Sequence, residues 1–237
     1  MQLVIFAGGF GTRISEETDY IPKPMVKIGK KPILWHIIKY YSIFGFSNFI
    51  ICGGYKIRII KKYFQSLKEN RSWNIKIVDT GIKNNTGERL KRVKKYINNR
   101  FCLTYGDGLC NVNIDKLIEF HKKNKSTVTL TATKPSPHFG KIVFRGNKVI
   151  KFLEKEKKRE SWINGGFFVC EKKIFKYLNK KNSIFESDAL SLLAKKKKLA
   201  AYKHEDFWYC MDTLRDKRHL NSLWLSNKAP WKVWKDE

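Results

Sequence analysis

One hydroxyl, one guanidinium and one ammonium follow a glycine-rich turn close to the start of this chain. The apolar run Val4-Ile5-Phe6-Ala7 ends in Gly8-Gly9-Phe10-Gly11-Thr12-Arg13, and Lys23 follows between Pro22 and Pro24. Glycines let a backbone approach a ligand closely, and successive N–H groups at such a turn make an anion cradle. Arg13 offers a fork of donors suited to terminal phosphate oxygens. Lys23, on a backbone stiffened by two prolines, is a point charge aimed where phosphate charge would develop. The chemistry suggested is a grip on a nucleoside triphosphate. The turn is neither a Walker A loop nor a G-x-G-x-x-G fingerprint, and by itself it serves a tight bend equally well.

Two aspartates extend the pattern. Asp107 lies in Tyr105-Gly106-Asp107-Gly108, and Asp212 in Met211-Asp212-Thr213. Carboxylates converging on one ion suit Mg²⁺, a hard cation that bridges substrate phosphates. Each has a plainer reading as well: an Asp-Gly turn is common, and Asp212, just ahead of a helical pattern, reads first as its N-cap. Glu154-Lys155 and Asn164-Gly165-Gly166 look like acceptor-binding elements, with the lysine for a phosphate and Glu154 and Asn164 for sugar hydroxyls. Lys155 also belongs to a charge run from Glu154 to Glu160, which solvation explains equally well. The five histidines (His36, His121, His138, His204, His219) have no metal spacing and read as structural.

The elements that must position these groups alternate. Val4–Ala7 reads as a strand, Ile33, Ile37, Tyr41 and Phe44 as a helix opened by Pro32 and closed by Gly45. Strands at 49–52, 75–78 and 101–105 alternate with helices marked by Ile59, Ile60, Tyr63 and Phe64 and by Leu90, Val93 and Ile97. That rhythm predicts an α/β fold with a parallel, doubly wound sheet. Farther on it changes: 127–133 alternates as a strand, 142–144 and 149–152 flank a Gly146-Asn147 hairpin turn, and Ile163 to Val169 is extended. Helices are expected near 174–178, near 189–194 and from Leu214, where Leu220, Leu223 and Trp224 share a face. The second half is thus mixed α/β with antiparallel strands, packed on the first. Lys195–Lys198 reads as a solvated helix end.

With 49 Lys+Arg against 21 Asp+Glu, the net charge is +28, which points to anionic partners. The basic residues are spread along the chain and mostly lysine, so they read as solvated surface rather than a nucleic-acid footprint. The 237 residues suffice for one globular domain. Five cysteines, odd in number and without a C-x-x-C pair, indicate neither a disulfide framework nor zinc. No stretch is long and apolar enough for a membrane span, and the expected compartment is the cytoplasm.

The order of motifs completes the sequence reading. Gly-Gly-Phe-Gly-Thr-Arg, Pro-Lys-Pro-Met, Gly29-Lys30-Lys31-Pro32-Ile33-Leu34, Tyr-Gly-Asp-Gly, Glu-Lys, Asn-Gly-Gly-Phe-Phe and Met-Asp-Thr resemble, nearly end to end, the sugar-phosphate nucleotidyltransferases. The segments Pro32–Ile37, Val78–Gly81, Gly87–Val93, Met211–Lys217 and Lys228–Trp231 look most like the branch that uses CTP and glucose 1-phosphate. The resemblance implies a Rossmann-like mixed sheet in a single domain. Residues 1–110 would form its nucleotide-binding half, and residues 111–237 its sugar-phosphate half and C-terminal helix. It implies that Phe6, Ala7, Gly8, Gly9, Phe10, Gly11, Thr12 and Arg13 hold triphosphate and base, with Lys23 on the α-phosphate. Thr80 and the segment from Gly87 to Arg92 would face the cytosine and ribose, and Thr86 and Gly106 would complete the nucleotide site. Tyr105, Gly140, Glu154, Lys155, Asn164 and Gly165 would take the sugar phosphate, and Asp107 with Asp212 the Mg²⁺. Arg13, Lys23, Asp107 and Asp212 would be the catalytic set. The implied partners are CTP and a sugar 1-phosphate, with no nucleic acid and no membrane, in a homo-oligomer. Two departures from the branch are a short stretch between Phe64 and Trp73 and Glu156 where proline usually follows Glu-Lys. The alternatives are the same chemistry with UTP, dTTP or another phosphorylated acceptor, and a non-catalytic nucleotide or polyanion binder.

Overall fold

The computed structural model describes residues 1–67, 72–134, 141–145, 147–153 and 161–235. The first apolar run is β1 (Gln2–Ala7), and a short α1 (Ser15–Thr18) follows the glycine turn. A small ribbon, β2 (Lys27–Ile28) and β3 (Lys31–Pro32), leads into α2 (Ile33–Ile43). Then come β4 (Asn48–Gly53), α3 (Ile57–Ser66), β5 (Asn74–Asp79), α4 (Thr86–Val93), β6 (Arg100–Tyr105) and β7 (Gly108–Cys110). The second half holds α5 (Ile114–Asn124), β8 (Val128–Thr133), the hairpin β9 (Lys141–Arg145) and β10 (Lys148–Leu153), β11 (Ile163–Asn164) and β12 (Phe168–Glu171). It closes with α6 (Ser191–Lys195), β13 (Leu199–His204), β14 (Trp208–Cys210) and α7 (Leu214–Leu225).

The main sheet has eight strands in the order β11-β8-β12-β6-β1-β4-β5, with β13 on β8. β1 lies parallel between β4 and β6, and β12 joins antiparallel to β6 and β8. One continuous sheet therefore runs through both halves of the chain. Period-two alternation along β1 splits its side chains between two cores. Leu3 and Ile5 pack with α2, Leu117 and Leu220, whereas Val4 and Phe6 pack with Leu90, Val93 and Phe185. The first core is closed by Trp231, fully buried against Phe207 and Trp224. Its indole N–H points at His36 Nδ1 at 3.4 Å, so the other ring nitrogen, Nε2, donates to the Ile28 carbonyl at 2.9 Å. Burial lowers the pKa of this imidazole to about 4.

The structure departs from the sequence expectations in several places. The segment near residue 174 is a 3-10 helix (Lys172–Tyr177), and α6 is entered through a π-helical turn, Phe185–Leu190. β7, β13 and β14 were not expected. Asp212 is not the cap of α7: Thr213 is, in a capping box where its hydroxyl accepts from Asp216 N–H and Asp216 reaches back. Reversing the expectation leaves the Asp212 carboxylate free to face the glycine turn.

Candidate active site

Parallel strands β1 and β6 deliver the glycine turn and Asp107 to the same end of the sheet, the carboxyl edge where open α/β sheets bind ligands. Gly11 adopts a left-handed conformation (φ 70°), and a Cβ there would sit 2.9 Å from that of Lys23. This is a position only glycine fills without strain. Gly8 is held from below. Arg89 of α4, 4% exposed, donates through Nη2 to the Gly8 carbonyl at 2.8 Å and to Ile82 O at 3.1 Å. Its Nη1 reaches Thr80 Oγ1 and Gly81 O, each at 2.8 Å, and Gly53 O at 3.2 Å. A Cβ on Gly8 would meet Nη1 at 2.0 Å, so the glycine makes room for the guanidinium as well as for a ligand. Burial lowers the Arg89 pKa, and the carbonyl ring compensates it with hydrogen bonds.

Lys23 stands at the centre of the charged groups. Its ammonium donates to Asp107 Oδ2 and Asp212 Oδ1, each at 2.6 Å, and Asp212 Oδ2 accepts from Arg13 Nη1 at 2.9 Å. The residue is 8% exposed. Burial pulls its pKa down, but the Asp107 charge and the hydrogen bonds that the ammonium donates to both carboxylates outweigh that and raise it. For Asp212, burial pushes upward, and the Lys23 bond with the Lys23 and Arg13 charges brings the net shift below the ordinary carboxylate value. Cys210 completes the group: its sulfur and the two carboxylates lie within 4.8 Å of one another. Burial, then Asp107, pushes this thiol up. Two carboxylates that already share one cation fit a hard divalent ion such as Mg²⁺, and the thiol adds no hard donor.

A cavity of about 430 Å³ opens beside these groups. It brings together Phe6, Ala7, Gly8, Gly9, Gly11, Thr12, Arg13, Lys23, Thr86, Tyr105, Gly106 and Asp107 from the expected set. Gly106 packs against β1, its N–H donating to Phe6 O at 2.9 Å. Pro24, Asn84, Asn85, Ile184 and Glu186 also line the cavity and were not anticipated; Arg89, within the segment expected at the base, lines it too. Glu186 takes a hydrogen bond from Thr86 Oγ1 at 2.7 Å and another from Tyr105 Oη at 2.5 Å. Burial and Glu186 push the Tyr105 pKa well up, keeping the phenol a donor.

Other expected residues lie elsewhere. Phe10 is 47% exposed and packs on Tyr55, with ring centroids 5.2 Å apart. Thr80 is fully buried, its hydroxyl donating to Gly53 O at 2.5 Å and accepting from Arg89. Gly87 packs on Ser183, where a Cβ would meet the hydroxyl at 2.6 Å. Arg92 turns toward Glu88 Oε1 at 3.6 Å, half exposed. Asn164 donates to Tyr105 Oη at 3.2 Å, and the Gly165 carbonyl accepts from Trp208 Nε1 at 2.7 Å. Gly140, Glu154 and Lys155 lie outside the described residues. Arg89 sat within the segment quoted for base recognition, so its neighbourhood was legible although its role was not. Glu186 carried no signal, because an acidic residue at the start of a helical stretch is ordinary.

The family model described as nucleotidyl transferase matches residues 2–236. The glucose-1-phosphate cytidylyltransferase of Salmonella typhimurium is 45% identical over 256 aligned residues, covering 99% of this chain and all of the relative. The D-glycero-alpha-D-manno-heptose 1-phosphate guanylyltransferase of Aneurinibacillus thermoaerophilus is 34% identical, over 80% of this chain and 84% of its own. Among solved structures, HddC from Yersinia pseudotuberculosis complexed with GMP-PN superposes with a TM-score of 0.74 at 24% identity, covering 94% of this chain and 99% of that one. UDP-glucose pyrophosphorylase complexed with UDP-glucose reaches 0.74 at 18%, covering 95% and 98%. These two structures speak for the fold. With its whole length matched and its glycine turn, lysine and paired aspartates gathered at one sheet edge, this chain belongs to the nucleotidyl transferase family.

Proposed function

We propose that the chain joins CTP to glucose 1-phosphate, giving CDP-glucose and pyrophosphate. The full-length likeness to the cytidylyltransferase of Salmonella typhimurium supports the substrate pair. The observation that carries the chemistry is the Lys23 ammonium held between Asp107 and Asp212, beside a glycine turn that lines the same cavity. In this reading an oxygen of the sugar phosphate attacks the α-phosphorus of CTP. A phosphorus–oxygen bond forms to the acceptor, the bond from that phosphorus to the bridging oxygen breaks, and the electron pair leaves with pyrophosphate. The nucleophile is already anionic, so no general base is needed.

The raised pKa keeps Lys23 charged through the neutral range, which lets it offset charge gathering on the α-phosphate. Arg13, 73% exposed at its side chain, is free to swing to the outer phosphates. Asp107 and Asp212 would hold Mg²⁺, whose contribution when bound is charge neutralisation and alignment of the phosphates. The glycine turn, its shape fixed by Arg89, orients the triphosphate for in-line attack. Glu154 and Lys155 belong to the acceptor side of this proposal, as do Tyr105, Asn164 and Gly165; Gly87 and Arg92 belong to the base side. The reading includes a homo-oligomer in the cytoplasm, and the five unpaired thiols suit that reducing compartment.

The test is pyrophosphate release with Mg²⁺ over a matrix of nucleoside triphosphates and sugar 1-phosphates. CTP with glucose 1-phosphate is expected to give the highest kcat/KM. Release only with another triphosphate would move the base assignment, and no release with any pair would remove the enzyme reading. Sedimentation of the same sample reads the oligomeric state.

A further inference from the structure

Glu186 is out of place by charge. In a chain of net charge +28, its carboxylate lines a cavity that Arg13 and Lys23 suit to a polyanion. The other carboxylate of that cavity, Asp107, is paired with Lys23; Glu186 differs. Among the described residues no lysine or arginine pairs with it. Neutral hydroxyls hold it instead, Thr86 Oγ1 at one oxygen and Tyr105 Oη at the other. Both donors are themselves fixed: the Phe185 N–H donates to Thr86 Oγ1 at 2.9 Å, and Asn164 Nδ2 to Tyr105 Oη at 3.2 Å. The carboxylate is thus locked in direction by neutral donors. Each oxygen retains a lone pair for a further donor. The π-helical turn that presents it is a device that recurs at functional sites.

A fixed anion in a phosphate-binding cavity must face a part of the ligands that is uncharged and rich in donors. Resting on the proposed function above, where Tyr105 and Asn164 border the acceptor, we infer that Glu186 is a specificity-determining residue for the acceptor. It accepts hydroxyls of a neutral sugar ring and rejects sugar 1-phosphates that carry a second negative group on the ring. Neutral hydroxyls donate to it at no electrostatic cost. A ring carboxylate has no proton to give at neutral pH and meets like charge. The same repulsion keeps the acceptor phosphate toward Lys23 and so sets the direction in which the sugar enters.

The test compares glucose 1-phosphate with glucuronic acid 1-phosphate, which differ by one ring carboxylate. Calorimetry on the full chain with Mg²⁺ and the unreactive α,β-methylene analogue of CTP reads the preference without turnover. The wild type is expected to bind glucose 1-phosphate at least about tenfold more tightly. Glu186→Gln should bring the ratio to within about threefold, and Glu186→Asp, which keeps the charge, should preserve it. A merely structural role would weaken both ligands equally. Equal binding by the wild type overturns the inference, and so does an unchanged ratio in a Glu186→Gln protein with a cooperative melting transition. If that variant does not fold, the wild-type preference itself must shrink as salt is added; a salt-independent preference overturns the rule. A wild type that releases no pyrophosphate from CTP and glucose 1-phosphate would defeat the proposed function, while the calorimetric ratio still decides the acceptor rule.

Discussion

Arg89 Nη2 lies 2.8 Å from the carbonyl oxygen of Gly8, joining the first residue of the glycine turn to a helix 81 positions later. The guanidinium holds that turn against the ends of β4 and β5 through carbonyls of Gly53, Gly81 and Ile82. Arg89→Ala would strand several buried acceptors and should lower stability by at least about 3 kcal/mol. Gly8→Ala, which drives a methyl into Nη1, should cost about 1–3 kcal/mol. Urea unfolding checks both. If the two residues act as one unit, the double variant loses less than the sum of the single losses.

Asp212→Asn isolates the carboxylate from the fold. Its backbone is set by the Thr213–Asp216 capping box, and its side chain is one of two acceptors for Lys23. Turnover is expected to fall by at least about 10²-fold, with the unfolding free energy changed by less than about 1 kcal/mol. Unchanged turnover would remove Asp212 from the site.

Lys23 occupies the position between the carboxylates that a divalent ion would share. Lys23→Met should therefore bind Mn²⁺ in the absence of nucleotide about tenfold more tightly than the wild type, while losing about 10³-fold or more in turnover. Electron paramagnetic titration of free Mn²⁺ reads the first quantity independently of the second.

His36 makes stability depend on pH in a defined window. Its folded pKa of about 4 lies below the ordinary 6.5, so between those values the unfolded chain binds a proton that the folded protein refuses. Stability is therefore fully present above pH about 6.5 and falls as the pH drops toward about 4, by about 3 kcal/mol in all. Urea unfolding of the wild type at pH 7 and pH 4.5 should show the loss. His36→Gln should be less stable at pH 7 yet lose less on acidification, and parallel profiles would exclude His36 as the source.

Legibility in the sequence followed periodicity. β1, α2, β4, β5, α4 and β6 carry apolar spacing that local sequence alone supports, and the hairpin β9–β10 announces itself through Gly146-Asn147. β13 was hidden because Leu199-Ala200-Ala201-Tyr202 follows four lysines, and alanine favours helix over strand; its parallel pairing with β8 decides the outcome. The short β7 and β14 exist only as each other's partners. At the site, glycines, lysine and aspartates were legible because phosphate and metal chemistry demands those types. Arg89 and Glu186 were not, because their roles depend on carbonyls and hydroxyls that the fold brings from distant segments.

The seat of Trp231 against His36 has a consequence for biosynthesis. A nascent chain that has emerged as far as Asp107 contains the glycine turn, Lys23 and one aspartate, but neither Asp212 nor the indole that seals α2. Completion of the first core must wait until residue 231 has cleared the ribosome. Until then the His36 side of α2 lacks the indole that covers it in the finished protein, and partly folded chains with such exposed apolar surface are prone to associate.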